Sequence, residues 1–240
     1  MFSGTILCIP RTEAILHAEK YLEDAELNVT RTPAPDVTHV LLPVPSFPNG
    51  DGYLAHILAD LPERVIVCGG NLSSPLLENH CTVDFLKDSC YLCENAAITA
   101  RCAVKLLQSK LPVNGRRILI LGWGRIGKCL SFLLRDLGAD VCVSARKAED
   151  LAMIKALGFG SIPIAAVAAQ THRFDSILNT VPAMILPEAD FGRNCVAMEL
   201  ASVPGMKGAG IISARGLPAR LAPKESGKLI AETFLRLAVS

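Results

Sequence analysis

Apolar residues in this chain fall into short continuous runs, and between the runs they recur at helical spacing. That alternation predicts buried parallel strands linked by helices. Residues 5–9 form the first strand, and 12–25 follow as an amphipathic helix with Ile15, Leu16 and Leu22 inward. Further strands are predicted at 39–43 and 64–68, separated by a Pro/Gly-rich loop (45–52) and a helix (53–61). Residues 82–85 read as a short edge strand. Residues 94–111 form a long helix with Ile98, Thr99, Cys102 and Leu106 on one face, stopped by Pro112. Asn114-Gly115 then turns into a second series, with strands at 118–121, 140–144, 175–179, 195–200 and 210–214. Its helices are predicted at 128–137, 149–157 and, more weakly, 164–170. A last helix at 222–237 opens with Pro223 and turns Leu229, Ile230, Phe234 and Leu237 inward. The pattern implies an α/β protein, with a Rossmann domain at 114–221 and a smaller flavodoxin-like α/β domain at 1–93. A linking helix at 94–113 joins them, and a C-terminal helix at 222–240 returns to the first.

The segment 116–147 carries the clearest chemistry. Gly122, Gly124 and Gly127 form G-x-G-x-x-G between a strand and a helix. The first glycine allows the tight turn, the second lets backbone approach a pyrophosphate, and the third lets helix and strand pack closely. The helix N-terminus offers N–H groups and a positive dipole end to phosphate. Gly122, Trp123, Gly124, Arg125, Ile126 and Gly127 are therefore cofactor-site candidates. The same residues nearly match a P-loop, but Cys129 stands where Ser or Thr must hold magnesium, and the turn is too tight. At the end of the next strand, NAD sites place an acid for the ribose 2′-hydroxyl. Here the chain reads Ser144-Ala145-Arg146-Lys147, with no acid before Glu149. A hydroxyl and a planar guanidinium suit a 2′-phosphate, which points to NADP.

Composition narrows the remaining classes. Half of the 240 residues are hydrophobic, 20% are charged, and the net charge is +1. Such a balance gives no electrostatic case for nucleic acid or an acidic membrane surface. No apolar run is long enough to span a bilayer. The opening MFSGTILCIP reads as a strand rather than a secretory signal, so nine cysteines suggest a reducing cytoplasm. Cys90-x-x-Cys93 has no second pair at zinc spacing, and no metal is expected. Cys8, Cys68, Cys142 and Cys195 sit among apolar residues and read as small buried hydrophobes.

Several blocks in order resemble the dipicolinate synthase A-subunit family. They are LLPVPS (41–46), ENAAITA (94–100), ILGWGRIG (120–127), VSARK (143–147), NTVPAMIL (179–186), LASVPG (200–205) and GLPARLAPKESG (216–227). The resemblance covers nearly the whole chain, which is shorter than expected before residue 100. It implies an NADP-dependent oxidoreductase subunit that works with a flavoprotein-like B subunit in endospore-forming bacteria. The reaction implied turns dihydrodipicolinate into aromatic pyridine-2,6-dicarboxylate, with hydride passing to NADP. A homo-oligomer is expected. Val203 replaces the usual arginine, Met206 the usual glycine, and Ala219-Arg220 the usual Gly-Ile. These changes bear on the substrate rather than on the cofactor.

Aromatisation drives such a reaction, so orientation of a small dicarboxylate is the main task. Strand-end positions suit it: Thr180, Val181 and Pro182; Ser202, Val203 and Pro204; then Gly216, Leu217 and Pro218. Of these, Thr180, Val181, Pro182, Gly216 and Pro218 join Ser144, Arg146 and Lys147 as cofactor-site candidates. Asn95 and Thr99 in the linking helix and Lys224 at the start of the last helix are candidates to touch substrate. Capping, interior packing and solvent exposure are their respective alternatives. A 2-hydroxyacid dehydrogenase needs a histidine base, and none of His17, His39, His56, His80 or His172 lies near 216–224. A non-catalytic NADP-binding scaffold is the remaining alternative.

Overall fold

The computed structural model describes residues 4–9, 11–47, 50–62, 64–188, 191–192 and 194–239. Parts of the opening segment, of the 45–52 loop and of the C-terminus (1–3, 10, 48, 49 and 240) lie outside them. The chain divides into two units, 1–95 with 218–240, and 96–217.

In the first unit, Thr5–Cys8 (β1), Asn28–Thr30 (β2), Val37–Leu41 (β3), Ile66–Gly69 (β4) and Cys81–Asp84 (β5) form a parallel sheet. Their order is β2-β1-β3-β4-β5, the flavodoxin-like arrangement. Strand alternation gives the sheet two apolar faces. Leu7, Val40, Leu42 and Val67 pack with Leu54, Ile57 and Leu58 of Gly52–Ala59 (α2). On the other side, His39 meets Phe234 of Pro223–Ala238 (α7) edge-on, with ring centroids 5.6 Å apart. Glu13–Asp24 (α1) starts at Thr12, whose hydroxyl accepts from the Ile15 N–H. The α7 helix lies along α1, and Gly227 makes the approach possible. A Cβ there would fall 2.5 Å from His17 Cβ and 2.9 Å from the Ala18 nitrogen.

In the second unit, Arg117–Leu121 (β6), Asp140–Ala145 (β7), Gly160–Pro163 (β8), Ser176–Asn179 (β9), Val196–Glu199 (β10) and Ile212–Ser213 (β11) are again all parallel. The order β11-β10-β9-β6-β7-β8 is that of a Rossmann sheet, reversing between β6 and β9. Ile118, Leu119, Ile120 and Leu121 are wholly buried, because this central strand is covered on both faces. Leu119 and Leu121 pack with Ile177, Phe174 and Val167, while Arg125–Asp136 (α4) buries Leu130 and Leu134.

Two strands escape the sequence pattern, β2 and β8. Both are sheet edges whose residues are mostly exposed or half-buried, so no apolar run marks them. The long helix also starts early, as Ser89–Gln108 (α3) rather than at 94. Asp88 explains this, since its Oδ2 accepts from the Tyr91 N–H at 2.7 Å. Helix α4 starts at Arg125, three residues before the predicted start at 128. Residues 164–170 form 3₁₀ turns rather than an α-helix.

Candidate functional site

The two reversals of strand order are where open parallel sheets bind ligands. In the second unit the reversal opens a cavity of about 480 Å³ beyond β6, β7 and β9. Gly122, Trp123, Gly124, Ser144, Arg146, Thr180, Val181 and Pro182 all line it. Backbone geometry accounts for the glycines. Gly122 has φ of +104°, and a Cβ would meet Thr180 Oγ1 and Val181 Cγ2 at 2.7 Å. At Gly127 a Cβ would collide with the Gly122 carbonyl oxygen, so only glycine lets α4 start against the turn. Nothing lies within 4 Å of the place a Gly124 Cβ would take, which leaves room for a ligand to approach the backbone.

The wall of the cavity carries its polar side chains. Ser144 is wholly buried, and its hydroxyl has no hydrogen-bond partner within the described protein. A buried orphan hydroxyl is costly unless a ligand satisfies it. Arg146 is exposed beside it. Asp150, from the first turn of Ala148–Ala156 (α5), lines the same cavity and was not picked out by the sequence pattern. These residues fit a dinucleotide: an open glycine turn at a helix N-terminus, an unsatisfied hydroxyl, and a guanidinium.

The loops after β9 and β10 are locked together by a network the sequence does not advertise. Glu199 is buried at the end of β10. Its Oε1 accepts from Asn179 Nδ2 at 2.7 Å and from the Ala201 N–H at 3.1 Å, while Oε2 accepts from the Gly205 N–H at 2.8 Å. Asn179 Oδ1 also accepts from the Val181 N–H, and its Nδ2 donates to the Val181 carbonyl. Thr180 donates its hydroxyl to the Leu121 carbonyl at 2.7 Å, which ties β9 to the glycine turn. Thr180 thus shapes the cavity through its side chain. Gly205 must stay glycine, because a Cβ would lie 2.5 Å from Asn179 Nδ2 and from the Ala183 carbonyl. One carboxylate in an otherwise apolar strand, VAMEL, is the signal that could have revealed Glu199.

Other candidates stand elsewhere. Arg125 and Ile126 form the first turn of α4, outside the cavity wall, and Lys147 pairs with Glu149 at 3.2 Å on the surface. Gly216 lies in a turn with φ of +62°, and Pro218 belongs to the first unit. Thr99 is buried in α3, Asn95 half-buried on the same helix, Ser202 exposed in the loop after β10, and Lys224 exposed in the first turn of α7. Val203 is 54% exposed, but Met206 is buried with Leu186 in the core of the second unit. Met206 therefore fills a core rather than facing this cavity. Among the described residues no group of three or more His, Cys, Asp and Glu is placed to hold a metal. No helix among them is long and apolar enough to cross a membrane.

Comparison with known proteins gives a consistent picture. No protein-family model matches the chain. The chain is 25% identical over 244 aligned residues to the A subunit of dipicolinate synthase from Bacillus subtilis, covering 88% of this chain and 80% of that protein. Among solved structures, the A subunit of dipicolinate synthase from Bacillus halodurans superposes with a TM-score of 0.85 at 22% identity, over 99% of this chain and 98% of the other. A transhydrogenase from Sinorhizobium meliloti follows at 0.72 and 17%, over 98% and 85%. The resemblance read from the sequence blocks is borne out, and the chain shares the fold of these solved structures.

Proposed function

We propose that this chain is an NADP-dependent dehydrogenase subunit that converts dihydrodipicolinate to pyridine-2,6-dicarboxylate. The observation that carries the reading is the cavity at the β6–β9 reversal, where the glycine turn, the orphan Ser144 hydroxyl and Arg146 meet. Similarity to the A subunit of dipicolinate synthase over most of the chain supports the substrate class. A bound nicotinamide supplies a hydride acceptor, and loss of a ring proton to water completes the aromatisation. The chain's own task is placement. Gly122 and Gly127 set the turn, Ser144 and Arg146 select the adenosine-side phosphate, and the Asn179–Glu199 lock holds the loops beside the cavity. A flavoprotein-like B subunit is the proposed partner, and the working form a homo-oligomer.

The test is to incubate the purified chain, with and without that partner, with freshly made dihydrodipicolinate and NADP⁺. Absorbance at 340 nm should rise with enzyme concentration. Tight NADP binding with no absorbance change would identify a nucleotide-binding scaffold instead. The carboxylate of Asp150 favours a second reading of the cofactor, as NAD. Arg146→Asp decides between them: it should weaken NADP binding at least tenfold more than NAD binding, whereas equal losses mean that Arg146 does not grip a 2′-phosphate.

A further inference from the structure

The first sheet has its own reversal, between β1 and β3, and a cavity of about 460 Å³ lies there. Its wall comes from the loop after β1 (Arg11, Thr12), the loop after β3 (Pro43, Ser46), and Tyr53 of α2. Among the described residues, Arg11 is the sole charged side chain in that wall. Its guanidinium carbon sits over the Tyr53 ring, 3.7 Å from the centroid, a cation–π contact that holds the group in place. No ion pair among the described residues compensates its charge.

The stack is held from below by a chain of hydrogen bonds. The Tyr53 hydroxyl donates to the Ser46 carbonyl at 3.0 Å. Ser46 is buried, donates its hydroxyl to the Pro43 carbonyl at 2.8 Å, and accepts from the Gly70 N–H at 3.0 Å. The Ser46 N–H donates to the Gly70 carbonyl at 2.8 Å. This clip fastens the β3 loop to the end of β4, and through Tyr53 it orients Arg11. The nearby acid is engaged elsewhere, since Asp51 accepts from the Ser74 hydroxyl.

We propose that this cavity is the carboxylate-binding site for the dicarboxylate substrate, with Arg11 as the binding residue and Tyr53 and Ser46 as its positioning residues. A preorganised guanidinium fork in a partly apolar cavity matches a planar carboxylate better than a hydrated lysine would. The assignment rests on the dehydrogenase reading for its choice of ligand, but not for the site itself. The full chain is titrated with pyridine-2,6-dicarboxylate by calorimetry, alongside Arg11→Gln, Arg11→Lys and Lys207→Ala. Lys207 lines a separate cavity after β10 and serves as the control.

The dissociation constant is expected to rise tenfold or more in Arg11→Gln, to recover only partly in Arg11→Lys, and to stay unchanged in Lys207→Ala. NADP affinity and the melting temperature of Arg11→Gln should match those of the parent. An unchanged constant in Arg11→Gln, a loss confined to Lys207→Ala, or no dicarboxylate binding by the parent overturns the site. Equally strong displacement by inorganic phosphate makes it a general anion site and overturns the carboxylate assignment. If the Arg11-dependent binding holds but no 340 nm signal develops, the site stands and the proposed reaction falls. If turnover occurs and Arg11→Gln leaves KM unchanged, the reaction stands and the site falls.

Discussion

At the scale of single residues, this protein separates those that line the cavities from those whose small size lets backbones approach each other. Gly127 is of the second kind. Gly127→Ala sets a methyl group against the Gly122 carbonyl, so α4 must withdraw from the turn. Overpacking of that sort costs about 1–3 kcal/mol. NADP affinity, measured by fluorescence titration, should fall along with stability. Glu199→Gln tests the loop lock differently. A carboxamide cannot accept at both ends, so one of the Asn179 or Gly205 donors loses its partner in a buried place. The expected loss is about 1–3 kcal/mol in chemical denaturation. A change below a few tenths would mean that the lock is dispensable. Asn179 and Glu199 stand 20 positions apart, and Arg11 and Tyr53 more than twice that distance. Side-chain partnerships at such separations leave no local pattern, whereas the glycine turn, which is local, was legible from its spacing alone.

At the scale of elements, most of the fold was legible because central parallel strands must be apolar throughout. β6 shows why, with Ile118, Leu119, Ile120 and Leu121 all at zero exposure. The two strands that were missed, β2 and β8, are edges covered only in part. The seam of α7 with its neighbours in the first unit yields a pH prediction. Burial lowers the pKa of His39, against a weaker raising by a hydrogen bond with the Ala238 backbone. Below about pH 6.5 the unfolded chain then takes up a proton that the folded chain resists, so stability declines on acidification. Asp88 is held below the usual carboxylate range, first by its hydrogen bonds from Arg236 at the end of α7. Its contribution is present above about pH 4 and is lost as pH falls through the lowered folded value. Melting temperature against pH should therefore show two declining limbs. His39→Gln should flatten the upper one and Asp88→Asn the lower, and a profile unaltered by either change would refute the assignment.

At the scale of the whole molecule, the cysteines report on burial. Desolvation pushes the thiols of Cys8 and Cys68 up to about 12, and those of Cys142 and Cys195 to about 11. Cys81, Cys90 and Cys93 are exposed. Thiol labelling at about pH 8 should modify the exposed three within minutes and leave Cys8 and Cys68 untouched until the chain unfolds. Rapid modification of Cys68 in the native protein would contradict the buried sheet.

The path of the chain has one more consequence, which concerns synthesis. The first unit is discontinuous: residues 1–95 precede the second unit in the chain, α7 follows it, and Gly227 seats that helix tightly on α1. The second unit is contiguous. On the ribosome, residues 96–217 can therefore reach their final form while the earlier sheet still lacks a helix on one face. The sheet made before the second unit is thus completed after it, and the exposed apolar face of that waiting sheet is where a chaperone would be needed.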